Sequence, residues 1–138
     1  MQIAPCYDNL IEDIRNFLAD AVARAVKLGV SRSKIIVDPG IGFGKTVTHN
    51  LLLLKGVHAF ASLDLPVLIG ASRKAFIRKI LKKAHEKDIR PDLPMVEIGS
   101  QAAVAAAVLN GAHIVRVHDV ANTVATVKII DALRAAED

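Results

Sequence analysis

Three short apolar runs, IIVD at 35–38, VLIGAS at 67–72 and HIVRVHD at 113–119, alternate with stretches of helical hydrophobic spacing. This alternation constrains the fold most, because strands joined by helical crossovers pair in parallel and are covered by their helices. Leu10, Ile14, Phe17, Leu18, Ala21, Val22 and Ala25 recur at three- and four-residue steps, with Asp8 as the expected N-cap and Gly29 as the stop. A second helix is predicted from about Thr48 or His49 through Phe60, and Pro66 opens the second strand. Arg73 to His85 read as helical, with Phe76, Ile77, Ile80, Leu81 and Ala84 along one face, and HEKDIRPDLP reads as a polar loop. Ser100 is expected to cap an alanine-rich helix ending at Gly111, and Asp119 to cap a last helix traced by Val124, Val127, Ile130 and Leu133. The predicted class is α/β, with about three parallel strands and four helical segments in the order α-β-α-β-α-β-α. Residues 1–138 read as one domain, with no repeat, low-complexity tract or linker.

Composition narrows the function. A chain of 138 residues with 52% hydrophobic content can build a real core, which excludes disorder. No apolar run is long enough to cross a bilayer, and NLLLLKG is interrupted at Lys55, so no membrane partner is expected. QIAPCYDNLIED after Met1 lacks the basic start and cleavage site of a secretory leader, and Cys6 is the single cysteine. Both fit a reducing cytoplasm. The net charge of +4 suits an anionic small molecule.

Side chains alternate along a strand, so Val115 and Val117 share one face while Arg116 and His118 share the other. Likewise Ile35 and Val37 oppose Ile36 and Asp38, and Leu68, Gly70 and Ser72 lie together, with Arg73 and Lys74 just beyond. Polar groups thus gather at the C-terminal ends of all three strands, where parallel α/β sheets place ligand sites. Each residue also has a structural reading. Asp38 before Pro39-Gly40 can open a turn, Lys74 can face solvent, and His118 can be a satisfied core histidine. Arg116, in an apolar strand, reads as buried and paired with a carboxylate.

Two lookalikes fail on spacing. DPGIGFGKT ends like a phosphate loop, but the required first glycine falls on Pro39, and the third glycine of a dinucleotide loop falls on Lys45. What remains is a loop poor in side chains, open to a flat ligand. The basic run SRKAFIRKILKKAHEK carries one aromatic, Phe76, on its apolar side, so it reads as a solvated helix face and no nucleic-acid partner is expected. His49, His58, His85, His113 and His118 lack zinc-ligand spacing, and His113 reads as structural.

In this order and spacing, DPGIGFGKT, VLIGASRKAFI and GAHIVRVHDV resemble dihydropteroate synthase, of the pterin-binding group. The resemblance runs over essentially the whole chain but is to the C-terminal half alone. It implies a (β/α)₈ barrel of which this chain is an incomplete, single pterin-binding segment. The family's early strands, with the asparagine that helps hold magnesium and the loops over the site, have no counterpart here. Ile41 and Ala71 depart from the phenylalanine and methionine expected in many members, and are expected to reshape pocket walls.

The resemblance assigns Asp38 to the paired donors of the pterin edge, and Lys74 to the pterin carbonyl and ring nitrogen. Gly42 and Phe43 would lie against the ring, beside Gly70. Arg116 and His118 would hold the leaving diphosphate, with Ser72 and Arg73 beside p-aminobenzoate. Lys74, Arg116 and His118 are the catalytic candidates. The implied enzyme is a transferase of an alkyl group in folate biosynthesis and a sulfonamide target. It would condense 6-hydroxymethyl-7,8-dihydropterin diphosphate with p-aminobenzoate. Magnesium would be held mainly by the absent half and the substrate diphosphate, with no metal ligand in this chain. A homo-oligomer or a complementing N-terminal half is the expected partner, and the chain alone is expected to be inactive. Two alternatives stay open: a methyltetrahydrofolate:corrinoid methyltransferase-like domain, and a non-catalytic pterin-binding or assembly module.

Overall fold

The computed structural model describes residues 6–136; the first five residues of the stretch read for a leader lie outside them. Five α-helices accompany a small parallel sheet: α1 (Leu10–Lys27), α2 (Val47–Lys55), α3 (Ala75–Leu81), α4 (Pro94–Leu109) and α5 (Val120–Ala135). The regular strands are β1 (Leu68–Ile69) and β2 (Ile114–Val115), paired in parallel with Ile69 opposite Val115. The first apolar run joins through a single parallel bridge, Val37 to Val67, so the three runs stand in chain order with β1 at the centre. Backbone bonds from Leu68 N–H to Val37 O at 2.8 Å and from Arg116 N–H to Ile69 O at 3.0 Å lace the runs together.

The expected alternation decides which side is covered. Val37, Val67, Ile69 and Ala71 are buried under the helices, in one core with Leu53, Phe60, Phe76 and Val96. Val115 and Val117 pack on a smaller cluster of Val104, Val108 and Ile130, which joins α4 to α5. On the opposite face Ile36 is 51% exposed and Ile114 36% exposed. Ile41 and Ala71, expected in pocket walls, belong to the buried core instead.

Several boundaries differ from expectation. Asn9, not Asp8, caps α1, accepting from the N–H of Glu12 at 3.3 Å. The chain leaves α1 at Leu28 and turns at Gly29, as expected. The second helix starts one residue earlier, because Thr46 and His49 form a reciprocal capping box, and it breaks at Gly56 into a 3₁₀ segment, Val57–Leu63. α3 stops at Leu81, short of the expected His85. Ser100 does not cap a helix: α4 starts at Pro94, whose missing N–H is harmless in the first turn. Ser100 sits inside it, donating to Val96 O at 2.8 Å. Asp119 caps α5 as expected, accepting from Asn122 N–H at 3.0 Å. No described helix is long and apolar enough to cross a membrane.

Candidate functional site at the strand ends

The three strand ends converge. Asp38 leaves the first run and turns at once, its Oδ1 accepting the Gly40 N–H at 2.8 Å. Its other oxygen lies 3.6 Å from the Arg116 guanidinium. Arg116 is not buried, as its place in an apolar strand suggested. Its N–H still bonds β1, but its side chain stands 63% exposed on the open face. Such an exposed pair adds little to stability, so its interest is chemical. Between the two lies Gly70, where a Cβ would stand 2.8 Å from Arg116 Nη2. The bare backbone at Gly70 is what lets the guanidinium cross β1 towards Asp38.

The glycine loop is organised by residues that sequence reasoning missed. Asn50, buried on α2, accepts the Gly42 N–H at 2.6 Å and donates to Thr46 O at 2.7 Å. Tyr7 donates to Gly44 O at 3.0 Å and meets the His49 ring edge-on at 5.2 Å. One signal was present, a lone asparagine four residues after the capping Thr46 and just before the apolar run Leu51–Leu54. Gly42 has φ +84°, and a Cβ there would sit 2.9 Å from Lys74 Cδ, so both backbone and space call for glycine. The Lys74 ammonium lies 3.8 Å from the centre of the exposed Phe43 ring, a cation–π contact.

Ser72 and His118 meet at the remaining corner, Oγ to Nδ1 at 2.9 Å. Arg73 turns away from them towards α4, pairing with Glu97 at 3.1 Å. Lys45, unassigned from sequence, donates to Phe43 O at 3.0 Å and lines a 370 Å³ cavity with Asp38, Pro39 and Tyr7. Burial lowers the Lys45 pKa against the attraction of Asp38. Burial, and then Arg116, lower that of Lys74, again opposed by Asp38. One carboxylate therefore stands among three cations. A neutral heterocycle with adjacent donors fits the carboxylate, and a dense anion fits the surplus positive charge. His113 is structural, accepting the Val67 N–H at 3.2 Å, and Phe76 of the basic run is buried in the core.

The sequence matches the pterin binding enzyme family over residues 1–118. The chain belongs to that family. It is 35% identical to dihydropteroate synthase of Escherichia coli (strain K12) over all 138 residues, which span 46% of that relative. The solved Yersinia pestis dihydropteroate synthase in a sulfonamide drug complex superposes with a TM-score of 0.90 at 38% identity, over 99% of this chain and 47% of that one. The Xanthomonas albilineans enzyme in complex with 7,8-dihydropteroate superposes with a TM-score of 0.87 at 34% identity, over 99% of this chain and 50% of that one. The fold is thus part of a (β/α)₈ barrel, and the chain spans about half the length of the curated relatives it matches.

Proposed function

We propose that this chain is the C-terminal half of a dihydropteroate synthase, carrying the pterin and anion sites of the reaction. The observation that carries the reading is the Asp38–Arg116 pair, with Lys74 poised over Phe43 beside it. The pterin amino group and ring N–H donate to Asp38. Lys74 leaves the face of Phe43 for the pterin carbonyl and ring nitrogen as the ring slides against Gly42 and Phe43. Arg116 and His118 hold the diphosphate. The carbon–oxygen bond to diphosphate breaks, the p-aminobenzoate nitrogen bonds to the methylene, and the amine releases a proton. The side chains stabilise departing charge and orient the two partners, with no nucleophile of their own. Ser72 stands on the p-aminobenzoate side. Arg73 contributes through the backbone of its turn, since its side chain is held by Glu97.

Magnesium belongs to this reading only through the other half of the barrel. Among the described residues no three His, Cys, Asp or Glu side chains cluster, and Asp38 is already engaged by Gly40 and Arg116. These residues do not fit a magnesium site. The partner we infer is an N-terminal half-barrel or a second copy, in the cytoplasm.

The test is to mix the chain with the N-terminal half of a full-length relative and assay diphosphate release and dihydropteroate formation. Turnover that needs both halves and is lost in Arg116→Ala is expected. Release of diphosphate also separates this reading from methyl transfer and from a non-catalytic module. Turnover by the chain alone at a rate typical of enzymes would show that it is not incomplete; none with the complement present would overturn the function.

A further inference from the structure

Arg73 has φ +58°, a left-handed backbone that a long side chain rarely takes unless its surroundings impose it. Three contacts impose it here. Its N–H donates to Ser100 Oγ at 2.9 Å, its carbonyl accepts from Arg78 Nη1 at 2.9 Å, and its Nε donates to Glu97 Oε2 at 3.1 Å. Each partner is itself fixed. Ser100 is 0% exposed, and because its hydroxyl proton goes to Val96 O, a lone pair remains for Arg73. The other oxygen of Glu97 accepts from Gln101 at 2.7 Å, and Gln101 reaches Thr123 and Thr126 on α5. Arg78 is gripped by both oxygens of Asp88, at 3.1 and 2.9 Å.

The neighbours of Arg73 are two members of the site. Ser72 is bonded to His118, and Lys74 lies over Phe43. A change of φ at Arg73 would turn one against the other. We propose that Ser100 and Glu97 of α4, with Arg78 of α3, are positioning residues that lock the Arg73 turn and so set the Ser72 hydroxyl and the Lys74 ammonium. A serine inside a helix satisfies itself by bonding to the preceding turn. Ser100 does this and also serves a loop 27 positions away in sequence. Alanine there strands the Arg73 N–H and lets the turn relax to a common conformation. The functional meaning of the lock rests on the pterin reading of Lys74; the lock itself can be measured without ligand.

The experiment uses the chain with lysines labelled at ¹³Cε, readable in whatever assembly it forms. The Phe43 ring current displaces the Lys74 signal, assigned by its return to an ordinary position in Phe43→Leu. Ser100→Ala is expected to lose most of the displacement. Glu97→Ala is expected to do the same, and gives the test if Ser100→Ala does not fold. Val96→Ala, which removes a fully buried side chain from the same helix, should lower stability and keep the displacement. In a second arm, Ser100→Ala binds 6-hydroxymethylpterin about tenfold more weakly than the wild type, the equivalent of one lost hydrogen bond. A displacement unchanged in the folded Ser100→Ala chain, or lost equally in Val96→Ala, overturns the proposal. If the wild type binds no pterin while the displacement responds as expected, the lock stands and the pterin reading falls.

Discussion

Ser72 and His118, 46 positions apart, are joined twice: Oγ meets Nδ1 at 2.9 Å and also accepts the His118 amide N–H at 3.3 Å. This double link joins the end of the second run to the end of the third and holds the imidazole at the strand ends. Ser72→Ala is expected to lower stability by about 1 kcal/mol and to weaken pyrophosphate binding about fivefold, because the ring can swing. Calorimetric titration beside thermal unfolding measures both, and a stability loss with unchanged pyrophosphate binding would limit Ser72 to a structural part.

Asp38→Asn keeps the side-chain shape, and its oxygen can still accept the Gly40 N–H. It turns one acceptor into a donor facing the pterin donors. Pterin affinity should fall by about 2 kcal/mol, roughly thirtyfold, with little change in melting temperature. Unchanged affinity in the folded variant would remove Asp38 from the pterin edge.

Arg116→Ala and His118→Ala should each weaken pyrophosphate binding, the arginine more, because its fixed donors match a phosphate. Gly70→Ala should act like a milder Arg116→Ala, since the new methyl group would stand 2.8 Å from Arg116 Nη2 and push the guanidinium aside. Titration curves that superimpose on the wild type would make these side chains structural.

The pH dependence follows from Lys74. Its pKa is lowered below the ordinary 10.5, by burial first and then by Arg116. The folded chain therefore gives up this proton before the unfolded chain does, and stability from this group rises as pH climbs through the folded value towards 10.5. Lys74→Met should raise the neutral-pH melting temperature slightly, by an amount that shrinks in alkali, while abolishing most pterin binding. In the wild type, pterin affinity should decline before pH 10.5 is reached. A melting gap that does not change with pH would contradict the burial of this charge.

The covering of the sheet is one-sided. Ile36 and Ile114 face outward, and Phe17 of α1, 65% exposed, lines the cavity beside Asp38 and Lys45. Apolar faces of this extent mark interfaces, and edge strands recruit partners. The isolated chain is expected to pair with itself, pair with an N-terminal half-barrel, or aggregate. Light scattering that finds a monodisperse monomer at tens of micromolar, unfolding cooperatively, would refute this.

Much of this was legible in the chain. The period-two alternation in IIVD, VLIGAS and HIVRVHD separated the helix-covered residues from Asp38, Arg116 and His118, because one face had to be buried, although Gly70 and Ser72 on the other face are buried as well. Local chemistry read well where it was self-contained, as at Asp119, and poorly where a distant partner decided. Ser100 after Gly99 looks like a cap, but its acceptor serves Arg73 across the fold. Arg116 looked buried because its neighbours are apolar, yet it stands on the face of the sheet that no helix covers. Nothing local announces Glu97, whose partner lies 24 positions away.

Because the three runs stand side by side in chain order, the site is also completed in chain order. A nascent chain that has emerged through α3 already presents Asp38, the glycine loop and Lys74, but β1 still has one empty edge. Only when Ile114 and Val115 fill that edge do Arg116 and His118 arrive. A translation product stopped before α4 ends would hold the groups assigned to the pterin and none of the pair assigned to the leaving group.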